Sequence, residues 1–177
     1  MKPIVSPNIR LRYPDHFSVG DDSIVDDFCY FATQVRIGRG THIANNCSVG
    51  GGVERSFSVG DFCSLSAGVR IWCTSNDFVN DIVALQPAGM TVLEQELVTG
   101  DVFLGDFTAI GCNSIVMPGC EVPEGTVIGM MSYVPAFSRL EPWSVYAGTP
   151  VRRVKARNRA RVDRKSTRLN SSHSSVS

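Results

Sequence analysis

The chain has 177 residues, is 43% hydrophobic and carries 17 basic against 17 acidic residues, a net charge of zero. That length and composition suit one domain with a continuous core, and the charge balance argues against a nucleic-acid partner. No apolar run approaches the roughly 18 residues of a membrane span, and the opening MKPIVSPNIRLRYPDHF lacks the apolar centre of a secretory signal, so a cytoplasmic location is expected.

Residues 1–18, with His16, read as an N-terminal cap. From Val19 the chain keeps a six-residue beat: Val25, Phe31, Ile37, Ile43 and Val49, then Val59, Leu65 and Ile71, then Val98, Leu104, Ile110, Val116, Val122, Ile128 and Val134. The fifth residue of each unit is small or slim, among them Ser23, Cys29, Thr41, Cys47, Val53, Cys63, Thr108, Ser114, Cys120 and Thr126. The second is often Gly, as at Gly38, Gly60, Gly105 and Gly129. A unit with one large and one small inward side chain cannot bury its own apolar side and must stack on copies of itself. Three six-residue sides close a coil, and coils stack at strand spacing, about 4.8 Å. The expected fold is all-β: a parallel β-helix over residues 19–138.

Two breaks interrupt the beat. Around Gly50-Gly51-Gly52-Val53-Glu54-Arg55-Ser56 four residues are added, which a bulged corner accommodates. Between Ser75 and Val98 a longer excursion leaves the solenoid, giving a protruding loop over residues 77–97. Long excursions from compact domains tend to be functional. After Ser138 the beat is expected to stop. Residues 139–162 then read as a turn, Leu140-Glu141-Pro142-Trp143-Ser144-Val145-Tyr146-Ala147-Gly148-Thr149-Pro150, followed by a short basic helix opened by Pro150.

These units resemble the hexapeptide repeat of left-handed β-helix acyltransferases, and the Ala147-Gly148-Thr149-Pro150 turn with spaced basic residues is similar to that family's ending. The left-handed coil is implied by the resemblance alone, since the general crossover preference is right-handed. The resemblance implies a homotrimer and an acetyl-CoA-dependent transfer of a short acyl group to a hydroxyl or amine of a sugar, with no metal required. It implies that the thioester lies along backbone groups of the later coils, at Gly111, Cys112, Gly129 and Met130. Arg152 and Lys155 match the bases that meet coenzyme A phosphates in relatives, with Arg139 standing in for a lysine that relatives carry earlier.

Relatives also carry a proton-accepting histidine near the coil-to-loop junction, where this chain has Asn76-Asp77 followed by Phe78. Asp77 is therefore the candidate base if burial raises its pKa, with Asn76 as a hydrogen-bonding neighbour. Capping of the loop entry is the plainer role for both. His42 is the rival base, on a different edge of the prism and so available only from a neighbouring copy. Trp72, Phe78 and Tyr146 offer flat surfaces to a sugar ring, or else pack between coils. A hexapeptide carbonic anhydrase would need three zinc-binding histidines, and only His16 and His42 are available. A non-catalytic β-helix scaffold is the remaining alternative.

Four of the six cysteines, Cys29, Cys47, Cys63 and Cys120, fall in small inward slots and read as reduced structural thiols. Cys73 and Cys112 fall at third positions, with partial exposure expected. Residues 163–173, DRKSTRLNSSH, resemble the in-frame translation of a sequencing adapter, and 163–177 are set aside on that ground. Without Arg164, Lys165, Arg168 and Asp163, 14 basic residues face 16 acidic ones, a balance of −2.

Overall fold

The computed structural model describes residues 1–80 and 96–163; the middle of the 77–97 loop and the tail with His173 lie outside the described residues. Short parallel strands stack in three faces round one bore, with strands pairing to the next coil 18 residues on wherever no extra chain is inserted, as Ile24 to His42 and Ala109 to Val127. The first face holds Ile4–Val5, Ile24–Val25, His42–Ile43, Ser64–Leu65, Ala109–Ile110, Val127–Ile128 and Ser144–Ala147. The second runs through Arg10–Leu11, the first half of Tyr30–Ile37, the first half of Ser48–Val59, then Arg70–Trp72, Ile115–Val116 and Tyr133–Val134. The third takes Phe17–Val19, the second halves of the two long strands, Val102–Leu104 and Glu121–Val122.

The aliphatic beat fills the bore: from Val25 to Val134 its members are at most 3% exposed, Val98 excepted. The small slots do more than leave room. Ser114 Oγ donates to the Gly129 carbonyl of the next coil at 2.8 Å and accepts the Ser132 N–H at 3.1 Å. Thr41 does the same with Gly60 and Cys63, at 2.9 and 3.0 Å. The thiols join in, Cys29 donating to Ala44 and Cys120 to Pro135. These slots therefore take a small side chain with a polar tip, because backbone groups turned inward at their corners are otherwise unpaired, whereas slots such as those of Val69 and Val102 are filled by apolar side chains.

The corners are left-handed turns. One edge carries positive φ at Gly40, Phe62, Phe107, Gly125 and Trp143. Phe62 stacks on Phe107 with centroids 5.6 Å apart, and Trp143 lies over Gly125, where a Cβ would come within 2.4 Å of the indole. Arg157 closes this edge by donating to the carbonyls of Phe107 and Gly125, and burial lowers its pKa.

Several sequence expectations are corrected. Residues 1–18 are not a separate cap: Ile4–Val5, Arg10–Leu11 and Phe17–Val19 form a first coil. The beat was hidden there by the extra turn Pro14–His16 and by Phe17, a large ring in a slim slot against Phe31. At the Gly-rich break the slim slot belongs to Phe57, which pairs with Val35 and Val102 and is fully buried; Val53 sits in the bulge. Cys73 is fully buried rather than partly exposed. Val98 is not a coil position, since Thr74–Asn76 pairs antiparallel with Leu97–Thr99 and lifts the chain out as a two-stranded arm. Gly100 N–H to Cys73 C=O, at 2.9 Å, closes the base of that arm.

The beat also continues past Ser138. Leu140 packs on the core and Tyr146 occupies the slot above Ile128. The basic run after Pro150 is a strand, Arg152–Ala156, antiparallel to Ser144–Ala147, because it pairs the backbone edge that the last coil would leave bare. Helix appears further on, at residues 159–163.

Candidate active site

The outward side chains of the second face form two columns. The residue before each inward aliphatic gives Arg10, Tyr30, Ser48, Arg70, Ile115 and Tyr133. The residue after it aligns Ala32, Gly50 and Trp72 from coil to coil. Trp72 can lie flat on this face only because Gly50 beneath it has no side chain: a Cβ there would come within 2.9 Å of the ring.

On one side of Trp72 the arm overhangs a cleft of about 450 Å³ lined by Trp72, Thr74, Ser75, Asn76, Phe78, Ile115, Met117 and Tyr133. Trp72 and Phe78, chosen from sequence, thus meet in one place. Ile115, Met117 and Tyr133 were missed. Their signal was present, since Ile115 and Tyr133 are outward residues exactly one coil apart in the beat. On the other side of Trp72 lies a second cleft of about 370 Å³ that includes Arg12, Tyr30 and Arg70.

Asn76 lines the arm cleft, and Asp77 begins the turn beyond it. One Asp77 carboxylate oxygen accepts the Val79 and Asn80 amides at 3.0 and 3.1 Å, and the other accepts the Asn80 side chain at 2.8 Å. The Asn80 side-chain bond, then the two amide bonds, hold Asp77 below the ordinary carboxylate range. The rise from burial is smaller than the lowering by these bonds, and Asp77 caps the turn at residues 77–80. Cys73, at the base of the arm, is fully buried, and burial pushes its thiol up to about 12.

His42 stands on the first face, half-exposed, with Nε2 2.8 Å from an Asp26 carboxylate oxygen. Within one chain it is on a different face from Asn76, as the count of sides anticipated. His16 lies at the third face in a separate polar groove. Tyr146 is corrected outright: it is 8% exposed and points into the bore, its hydroxyl accepting the Glu141 amide at 2.9 Å, so it cannot offer its face to a sugar.

Gly111, Cys112, Gly129 and Met130 occupy one corner between the first and second faces, in consecutive coils. Gly129 packs on Ala147, which pairs with Arg152, and Lys155 pairs with Val145, so these basic residues end the same face. Arg139 is elsewhere, bridging to Glu121 on the third face. Among the described residues no three His, Cys, Asp or Glu side chains gather as a metal site, and no helix is long and apolar enough to cross a membrane.

A stacked three-faced solenoid with an arm over an aromatic cleft and a basic terminal strand defines a hexapeptide-type transferase scaffold. Residues 18–51 match the family described as bacterial transferase hexapeptide (six repeats). The solved structure of a point mutant of AntD, an N-acyltransferase from Bacillus cereus, in complex with dTDP and coenzyme A is 31% identical with a TM-score of 0.85, covering 96% of this chain and 89% of that one. Further structures of AntD hold 3-hydroxybutyryl-CoA, or dTDP-4-amino-4,6-dideoxyglucose with coenzyme A. The dTDP-4-amino-4,6-dideoxy-D-glucose acyltransferase of Escherichia coli is 29% identical over 150 residues, 82% of this chain and 74% of that enzyme. A chloramphenicol acetyltransferase of Klebsiella aerogenes is 28% identical over 110 residues, 56% of this chain and 50% of that enzyme. The chain belongs to the hexapeptide-repeat acyltransferase family.

Proposed function

We propose that this protein transfers an acyl group from coenzyme A to the amino group of a dTDP-linked 4-amino sugar. The observation that carries the reading is the likeness to AntD over nearly the whole chain. The amine nitrogen attacks the thioester carbonyl, the new C–N bond forms as the C–S bond breaks, and one proton passes from nitrogen to the departing sulfur. A neutral amine attacks without prior deprotonation, so a carboxylate held ionised, as Asp77 is, suffices as a turn-former and Asn76 as a positioning donor. Arg152 and Lys155 meet the phosphates of coenzyme A, whose pantetheine runs along Gly111, Cys112, Gly129 and Met130.

The same proposal includes a homotrimer. A cleft on one face and a His–Asp pair on another are combined when neighbouring copies pack side by side, so His42 of one copy serves the arm of the next. Light scattering showing a monomer at micromolar concentration would remove that part.

The test is mass spectrometry after incubation with acetyl-CoA and dTDP-4-amino-4,6-dideoxyglucose, with the 4-hydroxy sugar nucleotide and chloramphenicol in parallel. A gain of one acetyl group on the amino sugar alone is expected. Acetylation of the hydroxyl compounds instead would overturn the amine assignment. Failure to bind acetyl-CoA in calorimetry would leave the non-catalytic scaffold.

A further inference from the structure

We propose that the second cleft, on the far side of Trp72 from the arm, is a diphosphate site that holds the nucleotide of a nucleotide-linked sugar. The assignment rests on the nucleotide-linked acceptor proposed above and says which groups of this chain would bind it.

Arg12 follows the strand of the first coil and Arg70 opens the strand of the fourth on the second face. Between them the outward positions are Tyr30, Ala32, Ser48 and Gly50, and beside Tyr30 the last three are small, so the wall sinks into a hollow of about 370 Å³ with a guanidinium at each end. Three coil spacings of about 4.8 Å separate the two arginines along the axis, a gap that two extended arginine side chains close around one diphosphate. No carboxylate lines the hollow.

Neither guanidinium is neutralised by an acid. Among the described residues no ion pair includes Arg12 or Arg70, whereas Arg39, Arg55, Arg153 and Arg159 each face an acid. Arg70 gives one N–H to the Gly68 carbonyl at 2.9 Å, which orients the side chain and leaves further donors of the fork for phosphate oxygens. Arg12 lies over the ring of Tyr13, 5.9 Å from its centroid.

The two ends of the hollow differ, and that fixes a direction. Tyr30 flanks the N-terminal part, with Arg10 above its ring at 5.7 Å, a flat surface suited to a base. Trp72 flanks the other end and is shared with the arm cleft. A nucleotide with its base at Tyr30 and its diphosphate between the arginines places the attached sugar past Trp72, beside Asn76. The acceptor amine would then arrive where the arm overhangs the face.

Calorimetry with dTDP, dTMP and thymidine on the full chain, and on Arg12→Ala and Arg70→Ala, tests this. Each substitution should weaken dTDP about 10- to 100-fold, as expected for one charge-assisted phosphate contact, and leave thymidine unchanged. Both side chains are exposed, and retained coenzyme A binding by the variants reports an intact fold; Arg70→Lys should recover part of the loss. If the wild type binds dTDP and both variants bind it equally well, the site is wrong and the proposed acceptor stands. Equal affinity for dTDP and thymidine would likewise overturn it. If the wild type binds coenzyme A but no dTDP, the nucleotide-linked acceptor itself fails, and this site with it.

Discussion

Replacing Ser114 by alanine should cost more stability than its size suggests. The hydroxyl is fully buried, accepts the Ser132 N–H at 3.1 Å and donates to the Gly129 carbonyl at 2.8 Å. Alanine strands a donor and an acceptor in a bore that water does not enter. Each unpaired buried group costs about 1–3 kcal/mol, so a loss of about 2–4 kcal/mol is expected after local relaxation. Thr126→Val is the control. Thr126 makes one such bond, to the Glu141 carbonyl at 3.0 Å, and Glu141 is exposed, so water can replace the partner and about 0.5–1.5 kcal/mol should be lost. Ser114→Cys should fall between the two, because Cys63 accepts from Thr108 and donates to Gly105 in an equivalent slot. Urea unfolding followed by circular dichroism measures all three, with the thermal midpoint falling by about 2–4 °C per kcal/mol. Equal stabilities of Ser114→Ala and Thr126→Val would refute the view that the slots are chosen for their polar tips.

Arg152→Ala with Lys155→Ala should weaken coenzyme A binding at least tenfold in calorimetry with the fold intact, and unchanged affinity would remove these residues from the phosphate site. Because the pKa of Asp77 is depressed in the folded chain, its contribution to the turn at 77–80 is complete above the ordinary value of 3.8 and is lost only as pH falls through the depressed one; exchange of the Val79 and Asn80 amides should quicken there. By the same reasoning Asp77→Asn should slow transfer by less than about tenfold, against the 10²-fold or more expected on removing a general base. Tyr146→Phe should cost about 1 kcal/mol through the lost Glu141 contact and leave the acceptor KM unchanged, whereas Trp72→Ala should raise it; the reverse pattern in steady-state kinetics would contradict the inward placement of Tyr146.

The six-residue beat by itself determined the solenoid, because a repeat that must stack to bury its apolar side leaves little freedom in what it builds. It assigned the inward aliphatics from Val25 to Val134 other than Val98, and four of the buried cysteines, and it marked that an arm departs near Ser75, although the arm strand already begins at Thr74. The tertiary structure alone decided which residue fills a slot where chain is inserted. Phe57 rather than Val53 is buried, because pairing to Val35 and Val102 fixes the register across the bulge. Pairing with the bare edge of the last coil likewise made a strand of Arg152–Ala156, a segment whose local sequence suits a helix. The site depended on tertiary structure most. Trp72 and Phe78 stood out in the sequence, but Ile115, Met117 and Tyr133 join them from later coils, beyond the arm. Arg12, Tyr30 and Arg70 lie far apart in sequence and share a cleft only because stacking brings their outward columns onto one face. Inward positions are set by burial, which a single chain's periodicity records. Outward neighbours are set by which coil lies above which, and insertions such as the bulge at 52–55 shift that alignment without altering the beat on either side.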